Sequence, residues 1–525
     1  MMSLKEYMKI KKRKKTINFL ILLGTGLILG YFVEVDIFAF VKGIPDMADL
    51  LGRMLHPNFS YGDSIKTALK ETVEMSVFGS VAGIIFSLPF IFITAENIAP
   101  SKKIASIFND FFSVIRTIPS LIWAAVLVSV FSIGKFSGTT ALAIIAFLMS
   151  QKLLRERTEE IKEEELNSIK AVGANKIQIM KYSVFPNLKK HIISIFFIIL
   201  ESNIRSATIL GFVGAGGIGQ LMWRDLNHMK YNNLAAIIFI MLFVIFVIDF
   251  ISLLMRRNVS FINFHVKTLK GFKFMKILRK IFFAFIVYVI MREVCGYFSI
   301  SFERFVTGLH QGKIIGMRML HPNFLYIPKM ADGIFESLYI ALFATFVSGF
   351  FSLIISYFTA YNSSPNKFVS VIFKIFSNVL RTFPPMIAAI IFFRGLGPGK
   401  FAGVMALVVY TIGSITKMYS EVIENVNQNL EDSVRSTGAS NIAVYWSALV
   451  KETYPSFVGI FLYRLESNIR NSTILGIIGA GGIGTLLNMN IIWRNWENVG
   501  MMVLGIGLMI GSVDAISRKI RMRIK

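Results

Sequence analysis

The line ESNIRSATILGFVGAGGIG, Glu201 to Gly219, returns as ESNIRNSTILGIIGAGGIG at Glu466 to Gly484, an offset of 466 − 201 = 265. The same offset relates RMLHPNF at Arg53 to Phe59 and at Arg318 to Phe324, and it pairs Arg116 with Arg381, Gly173 with Gly438 and Asp249 with Asp514. A register held over that length with no net insertion is the mark of one unit of about 260 residues duplicated in tandem. Whatever one half does, the other does at an equivalent position.

The 525 residues are 54% hydrophobic and 17% charged, which is more apolar surface than a soluble fold can bury. The chain therefore reads as an all-α integral membrane protein with the lipid bilayer as its partner. A net charge of +25 suits a nucleic-acid binder, but the Lys and Arg residues lie in short clusters between long apolar runs. That pattern orients spans in a membrane, so nucleic acid is not expected as a partner. The single cysteine, Cys295, excludes an internal disulfide or a cysteine metal site. KKRKK at Lys11 to Lys15 precedes an apolar run that Val33-Glu34-Val35-Asp36 closes without a small-residue cleavage site, so an uncleaved first span is expected.

A bilayer crossing takes about 20 apolar residues. Candidates lie near 17–38, 72–95, 111–133, 139–153, 191–213 and 234–255, and again near 281–299, 335–358, 374–393, 402–418, 456–478 and 499–516. These make about 12 transmembrane helices in two tandem, parallel six-helix repeats. The expected division is 1–68 for a first span and external loop, 69–258 for a first domain, 259–333 for a linker, span and external loop, and 334–525 for a second domain. With strict alternation the cation clusters fall on one side, which makes the protein a multi-pass component of the cytoplasmic membrane with both termini cytoplasmic. His56-Pro57 and His321-Pro322 lack partner carboxylates and make poor metal chemistry. RMLHPNF is better read as part of a short amphipathic segment on the outer interface.

The longest cytoplasmic loop spans about 152–190. It is acidic at first, from Glu156 to Glu165, and then reads LNSIKAVGANKIQIMKYSVFPNL. Its counterpart is LEDSVRSTGASNIAVYWSALVKETYP, Leu430 to Pro455. Each pattern is a short helix, a turn at Gly173-Ala174 or Gly438-Ala439, and a second short helix. A helix pair presented twice where the membrane requires none should dock twice onto something in the cytoplasm.

Inside the spans stand Arg116, Glu201, Asn203 and Arg205, with Arg381, Glu466, Asn468 and Arg470 as their repeats. Intramembrane charge is costly unless it faces protein, water or a partner. Glu201 and Arg205 at i and i+4 can neutralise each other. The alternative is that the arginines line a translocation path and attract an anion. Gly214, Gly216, Gly217 and Gly219, with Gly479, Gly481, Gly482 and Gly484, match a dinucleotide fingerprint only formally, because no strand precedes them. Two readings stand: close helix packing at the outer mouth, or a gate that bends at the glycines and aims bare amides into a cavity.

The helix, Gly-Ala turn and helix resemble the signature loop of ABC-importer permeases. In that family a Glu-Ala-Ala triplet precedes the glycine, a place taken here by Asn167-Ser168-Ile169 and Asp432-Ser433-Val434. The family's Leu-Pro pair is matched by Phe185-Pro186; in the second half Lys451 stands there and proline comes later, at Pro455. The ESNIR…TILG…GAGGIG line and RT-x-P, at Arg116 to Pro119 and Arg381 to Pro384, resemble the phosphonate-uptake permeases. The resemblance covers about 70–255 and 335–520, with the two units fused in one chain. It implies a type I ABC importer permease fold, a phosphonate or related oxyanion as cargo, two ABC ATPase subunits docked on the loops at Gly173, Ala174, Pro186, Gly438 and Ala439, and an extracytoplasmic substrate-binding protein. The chain has no GxxxxGK[ST] loop, so it is expected to bind no cofactor and ATP is used by the partner subunits. No catalytic or metal-binding constellation appears twice, so no enzyme is expected. The alternative is an ion-coupled secondary transporter with two parallel six-helix halves, which would not need a patterned helix pair in each half.

Overall fold

The computed structural model describes residues 24–257 and 302–524, and among these every regular element is helical. After α1 (24–32), the first half runs α2 (Ile37–Met54), α3 (Gly62–Thr94), α4 (Lys102–Thr117), α5 (Ser120–Phe131), α6 (Lys135–Glu159), α7 (Glu163–Ala171), α8 (Lys176–Ile179), α9 (Phe185–Gly211), α10 (Gly217–Asn227) and α11 (Tyr231–Arg257). The second half repeats the series as α12 (Phe302–Leu320), α13 (Ile327–Thr359), α14 (Lys367–Thr382), α15 (Pro385–Leu396), α16 (Lys400–Glu424), α17 (Gln428–Arg435), α18 (Asn441–Val444), α19 (Val450–Ile477), α20 (Ile483–Ile492) and α21 (Trp496–Ile524).

Among the described residues 7 helices are long and apolar enough to cross a membrane, or 9 if each bent pair counts as one span. α19 is continuous but stands outside that set, because it carries Arg464, Glu466 and Arg470. The expected span at 281–299, with Cys295, lies outside the described residues, as do KKRKK and the start of the span at 17–38. The short candidates at 139–153 and 402–418 belong to 25-residue helices, α6 and α16, whose charged last turns extend beyond the apolar run.

The candidates at 111–133 and 374–393 are not straight spans. α4 meets α5 at 81° and α14 meets α15 at 85°. Proline disfavours helical backbone in the residue before it, and Ile118 and Phe383 are accordingly extended, with ψ of 120 and 113. RT-x-P is therefore the site of a sharp bend between two helices.

The described chain forms two compact units that do not follow the repeat. One is Met54–Met317, and the other joins Arg318–Lys525 to the chain up to Arg53. In the second unit a Cβ on Gly395 of α15 would fall 2.7 Å from the Gly43 carbonyl of α2, and Phe32 stacks on Tyr339 at 4.4 Å. In the first, α12 lies on the end of α5, with Gly308 against Phe131 and Phe305 stacked on the same ring at 6.0 Å. Gly43 and Gly308 are repeat equivalents, so each helical core receives the leading helix of the other repeat.

Within each core, α3, α6 and α9 (and α13, α16 and α19) pack through small residues, as membrane helices do when no water drives them together. Gly79 lies on Leu142 and Gly83 on Ala146. Buried hydroxyls fold back on their own helix, Ser76 to the Thr72 carbonyl at 2.7 Å and Ser80 to the Ser76 carbonyl at 2.6 Å. RMLHPNF is the end of α2 or α12 followed by a turn pinned to the start of α11 or α21. Asn58 donates to Asn233 Oδ1 and Asn323 donates to Asn498 Oδ1, both at 2.9 Å.

Candidate functional site

The glycine-rich line makes a hairpin between α9 and α10. Gly214, Gly216 and Gly217 have φ of 86, 88 and 71, and Gly479, Gly481 and Gly482 have 102, 79 and 75, a region that glycine enters without penalty. α10 then folds back so tightly that a Cβ on Gly219 would fall 3.0 Å from the Gly211 Cα; Gly484 stands in the same relation to Gly476. The glycines thus let α10 pack closely on α9 and α20 on α19.

The amides at the start of α10 and α20 do not open into a cavity. The Ile218 N–H donates to Thr72 Oγ1 at 2.7 Å and the Ile483 N–H to Ser337 Oγ at 3.0 Å. The Gly482 N–H donates to Glu336 at 2.9 Å, and the Gly217 N–H to Glu71. A carboxylate at a helix N-terminus opposes the positive end of the dipole and fills the donors left there. Lys400 holds Glu336 at 3.4 Å and Glu34 at 2.8 Å, and Lys135 stands beside Glu71. These Glu-Thr and Glu-Ser caps were not singled out from the sequence. Their only signal was a carboxylate and a hydroxyl side by side in an apolar run, recurring with the repeat.

The intramembrane charges differ between the halves. Glu201 pairs with Arg205 on its own helix, both side chains about a fifth exposed, at 19% and 24%. Glu466, 7% exposed, pairs instead with Arg521 of α21 at 2.9 Å. The expected i, i+4 pair with Arg470 is replaced, because a guanidinium from the neighbouring helix reaches the carboxylate. Asn468 is fully engaged: it donates to Thr345 Oγ1 at 2.9 Å and accepts from Thr411 Oγ1 at 3.0 Å. Asn203 donates to Ser80 Oγ at 2.9 Å, but its Oδ1 has no partner among the described residues, since Ala146 stands where the other half has Thr411. Arg116 and Arg381 lie in the last turns of α4 and α14, next to the bends, and Arg116 donates to Ser113 Oγ at 3.4 Å.

At the opposite end from the HPNF turns stand the two helix pairs. Each turns at its glycine, Gly173 with φ 80 and Gly438 with φ 79, followed by the half-buried Ala174 and Ala439. Asn175 and Gln178 cap α8 reciprocally, at 2.9 and 2.8 Å. α8 and α18 are single turns that pass through π-helical segments, Met180–Val184 and Tyr445–Leu449, into α9 and α19. Pro186 follows the first of these in the opening turn of α9, and Pro455 lies inside α19. Each arm is therefore one piece with a charged helix.

The arms are anchored by different chemistry. In the first, Leu166 is buried against Ile179, Met180, Val184 and Leu188, and Glu165 accepts from Ser183 at 3.3 Å and Asn187 at 2.5 Å. In the second, Glu431 replaces that leucine and pairs with Arg435 at 2.7 Å, which also donates to Asn441 Oδ1 at 2.8 Å and the Asn362 carbonyl at 3.3 Å. Tyr445 donates to the Leu353 carbonyl at 2.6 Å, and burial pushes its hydroxyl up to about 12, so it remains a donor. Apolar side chains stand out from both arms: Val172 is 87% exposed, Ile177 71% and Ile442 58%.

Residues 66–261 and 352–521 match the family described as binding-protein-dependent transport system inner membrane component. The phosphate-import permease protein PhnE of Mycolicibacterium smegmatis is 26% identical over 93% of this chain and 90% of its own length. The phosphite transport system permease protein PtxC of Stutzerimonas stutzeri is 29% identical, over 45% of this chain and 87% of its own. Among solved structures, the MetNI methionine ABC transporter in inward-facing conformations aligns with a TM-score of 0.36 and 16% identity, covering 39% of this chain and 99% of the matched chain.

Proposed function

Because the chain belongs to the family of binding-protein-dependent transport system inner membrane components, we propose that it is the permease subunit of an ATP-driven importer for a phosphorus oxyanion, of the phosphonate, phosphite or phosphate class. The observation that carries this reading is the pair of anchored arms, each continuous with a charged helix and each presenting exposed apolar side chains at a glycine turn. Such a surface is costly in water unless a partner covers it. Two ATPase subunits dock there, one per arm. The names of the phosphate-import and phosphite-transport relatives support the substrate class.

On this reading the permease domains are 69–258 and 334–525, and both termini and both arms are cytoplasmic. An extracytoplasmic binding protein delivers the anion at the HPNF end. The chain binds no cofactor of its own and ATP is consumed by the partners. The glycine hairpins, with their carboxylate caps, form the outer closure, and the Glu201 and Glu466 ion pairs hold the charged helices that the arms move.

The test is capture of candidate ATPases by the purified chain in lipid, before and after Gly173→Val and Gly438→Val. Valine is strained at those backbone angles, so each change should abolish capture at its own arm. A chain that captures no ATPase, yet transports under an ion gradient, would be a secondary carrier.

A further inference from the structure

The two halves share a fold but differ chemically just before the bend between α14 and α15. In the first half Phe112 of α4 is the hub of an aromatic cluster, edge-on to Phe90 at 5.4 Å and to Phe147 at 5.5 Å. Leu148 and Met149 follow on α6. The repeat places Ile355, Ser377, Ile412, Gly413 and Ser414 at these five positions. With the rings gone, α14 closes onto α16: a Cβ on Gly413 would fall 2.6 Å from both the Ser377 carbonyl and the Arg381 amide nitrogen.

Ser377 is 2% exposed and Ser414 1%, and neither hydroxyl has a hydrogen-bond partner among the described residues. Several buried hydroxyls nearby bond to carbonyls, Ser348 to Ala344 at 2.7 Å, Ser352 to Ile412 at 3.2 Å and Ser370 to Thr359 at 2.5 Å, whereas Thr416, two residues beyond Ser414, shares the lack of a partner among the described residues. An unpaired buried hydroxyl lowers stability. Two of them, on helices that touch at Gly413, stand where the first half has dry aromatic packing. Arg381, one helical turn beyond Ser377, brings a permanent positive charge to the same stretch.

We propose that Ser377 and Ser414, beside Arg381, form a one-sided station for the translocated oxyanion. The two hydroxyls donate to its oxygens, and the first half, with Phe112, Leu148 and Met149, makes no matching contact. The proposal rests on the reading of the chain as an oxyanion permease. Both serines are buried, so the station forms only when α14 lifts from α16, with the bend at Phe383-Pro384 as its pivot.

The test uses the full chain with its ATPases and binding protein in liposomes, with inorganic phosphate, phosphite and methylphosphonate as probes. The Ser377→Ala/Ser414→Ala double variant should lower the maximal uptake rate of the transported probe by at least about tenfold, the scale of one lost hydrogen bond to an anion, and raise the thermal midpoint because unpaired hydroxyls are removed. Ser414→Thr should restore most of the rate. An unchanged rate, or a thermal midpoint that falls together with the rate, overturns the station. Uptake of none of the three probes by the wild-type complex overturns the oxyanion reading along with it.

Discussion

The Glu466 carboxylate accepts a hydrogen bond from the Arg521 guanidinium at 2.9 Å, tying α19 to the last turns of α21, whereas its repeat Glu201 takes Arg205 from its own helix. Breaking the cross-helix pair removes a tertiary contact; breaking the other removes a local one. Arg521→Gln should therefore cost about 1–3 kcal/mol, a range below that of fully buried pairs because Arg521 is a third exposed. Arg205→Gln should cost less, about 1–2 kcal/mol, because the Glu201 carboxylate left behind is the more exposed of the two, at 19% against 8% for Glu466. Thermal midpoints of the two purified variants decide it, and equal losses would contradict the assignment.

The asparagines give a second comparison. Asn468 makes two side-chain hydrogen bonds and Asn203 one. Asn468→Ala should be more destabilising than Asn203→Ala by about 1 kcal/mol, the net worth of one bond. Thr411→Ala should recover that difference in chemical denaturation.

At the hairpins, Thr72→Val and Ser337→Ala each remove a cap and should cost about 1 kcal/mol. Gly217→Ala should cost more, about 1–3 kcal/mol, because its backbone is left-handed and its Cβ would fall 2.6 Å from Thr72 Oγ1. Gly134 also has positive φ but nothing near it, so Gly134→Ala should be milder. The ranking is read from thermal melts, and a milder Gly217→Ala would contradict it.

The arms should respond oppositely to exchange of their anchors. Leu166→Glu places an unpaired carboxylate in an apolar cluster and should reduce uptake at least about tenfold by loosening the first arm. Glu431→Leu leaves Arg435 bonded to Asn441 and Asn362 and 40% exposed, so the remaining guanidinium stays solvated and paired and stability should change by less than about 1.5 kcal/mol. ATPase capture and uptake, measured side by side, test both.

Much of this was legible in the sequence because it is local or periodic. The offset of 265 gave the two repeats, the apolar runs gave most of the described spans, and a glycine between two short helical patterns gave each arm. The bends at Pro119 and Pro384 do not show in the hydropathy because the apolar runs continue through them; their signal is proline's effect on the residue before it. The caps at Glu71 and Glu336 were missed because each acts on a turn 146 residues further along, where no sequence pattern links the two.

The sequence by itself determined a duplicated all-helical membrane protein of the importer-permease family, because composition, periodicity and repeated motifs act within one helix or one turn. Only the tertiary structure decided that α2 and α12 serve the opposite repeat, that Glu466 chooses Arg521, and that Phe112 and its equivalent Ser377 divide the halves into an aromatic and a polar version of one fold. These depend on which helices meet side by side. Within the membrane that is set by small-residue packing and by satisfying buried polar groups, interactions between residues far apart in the chain.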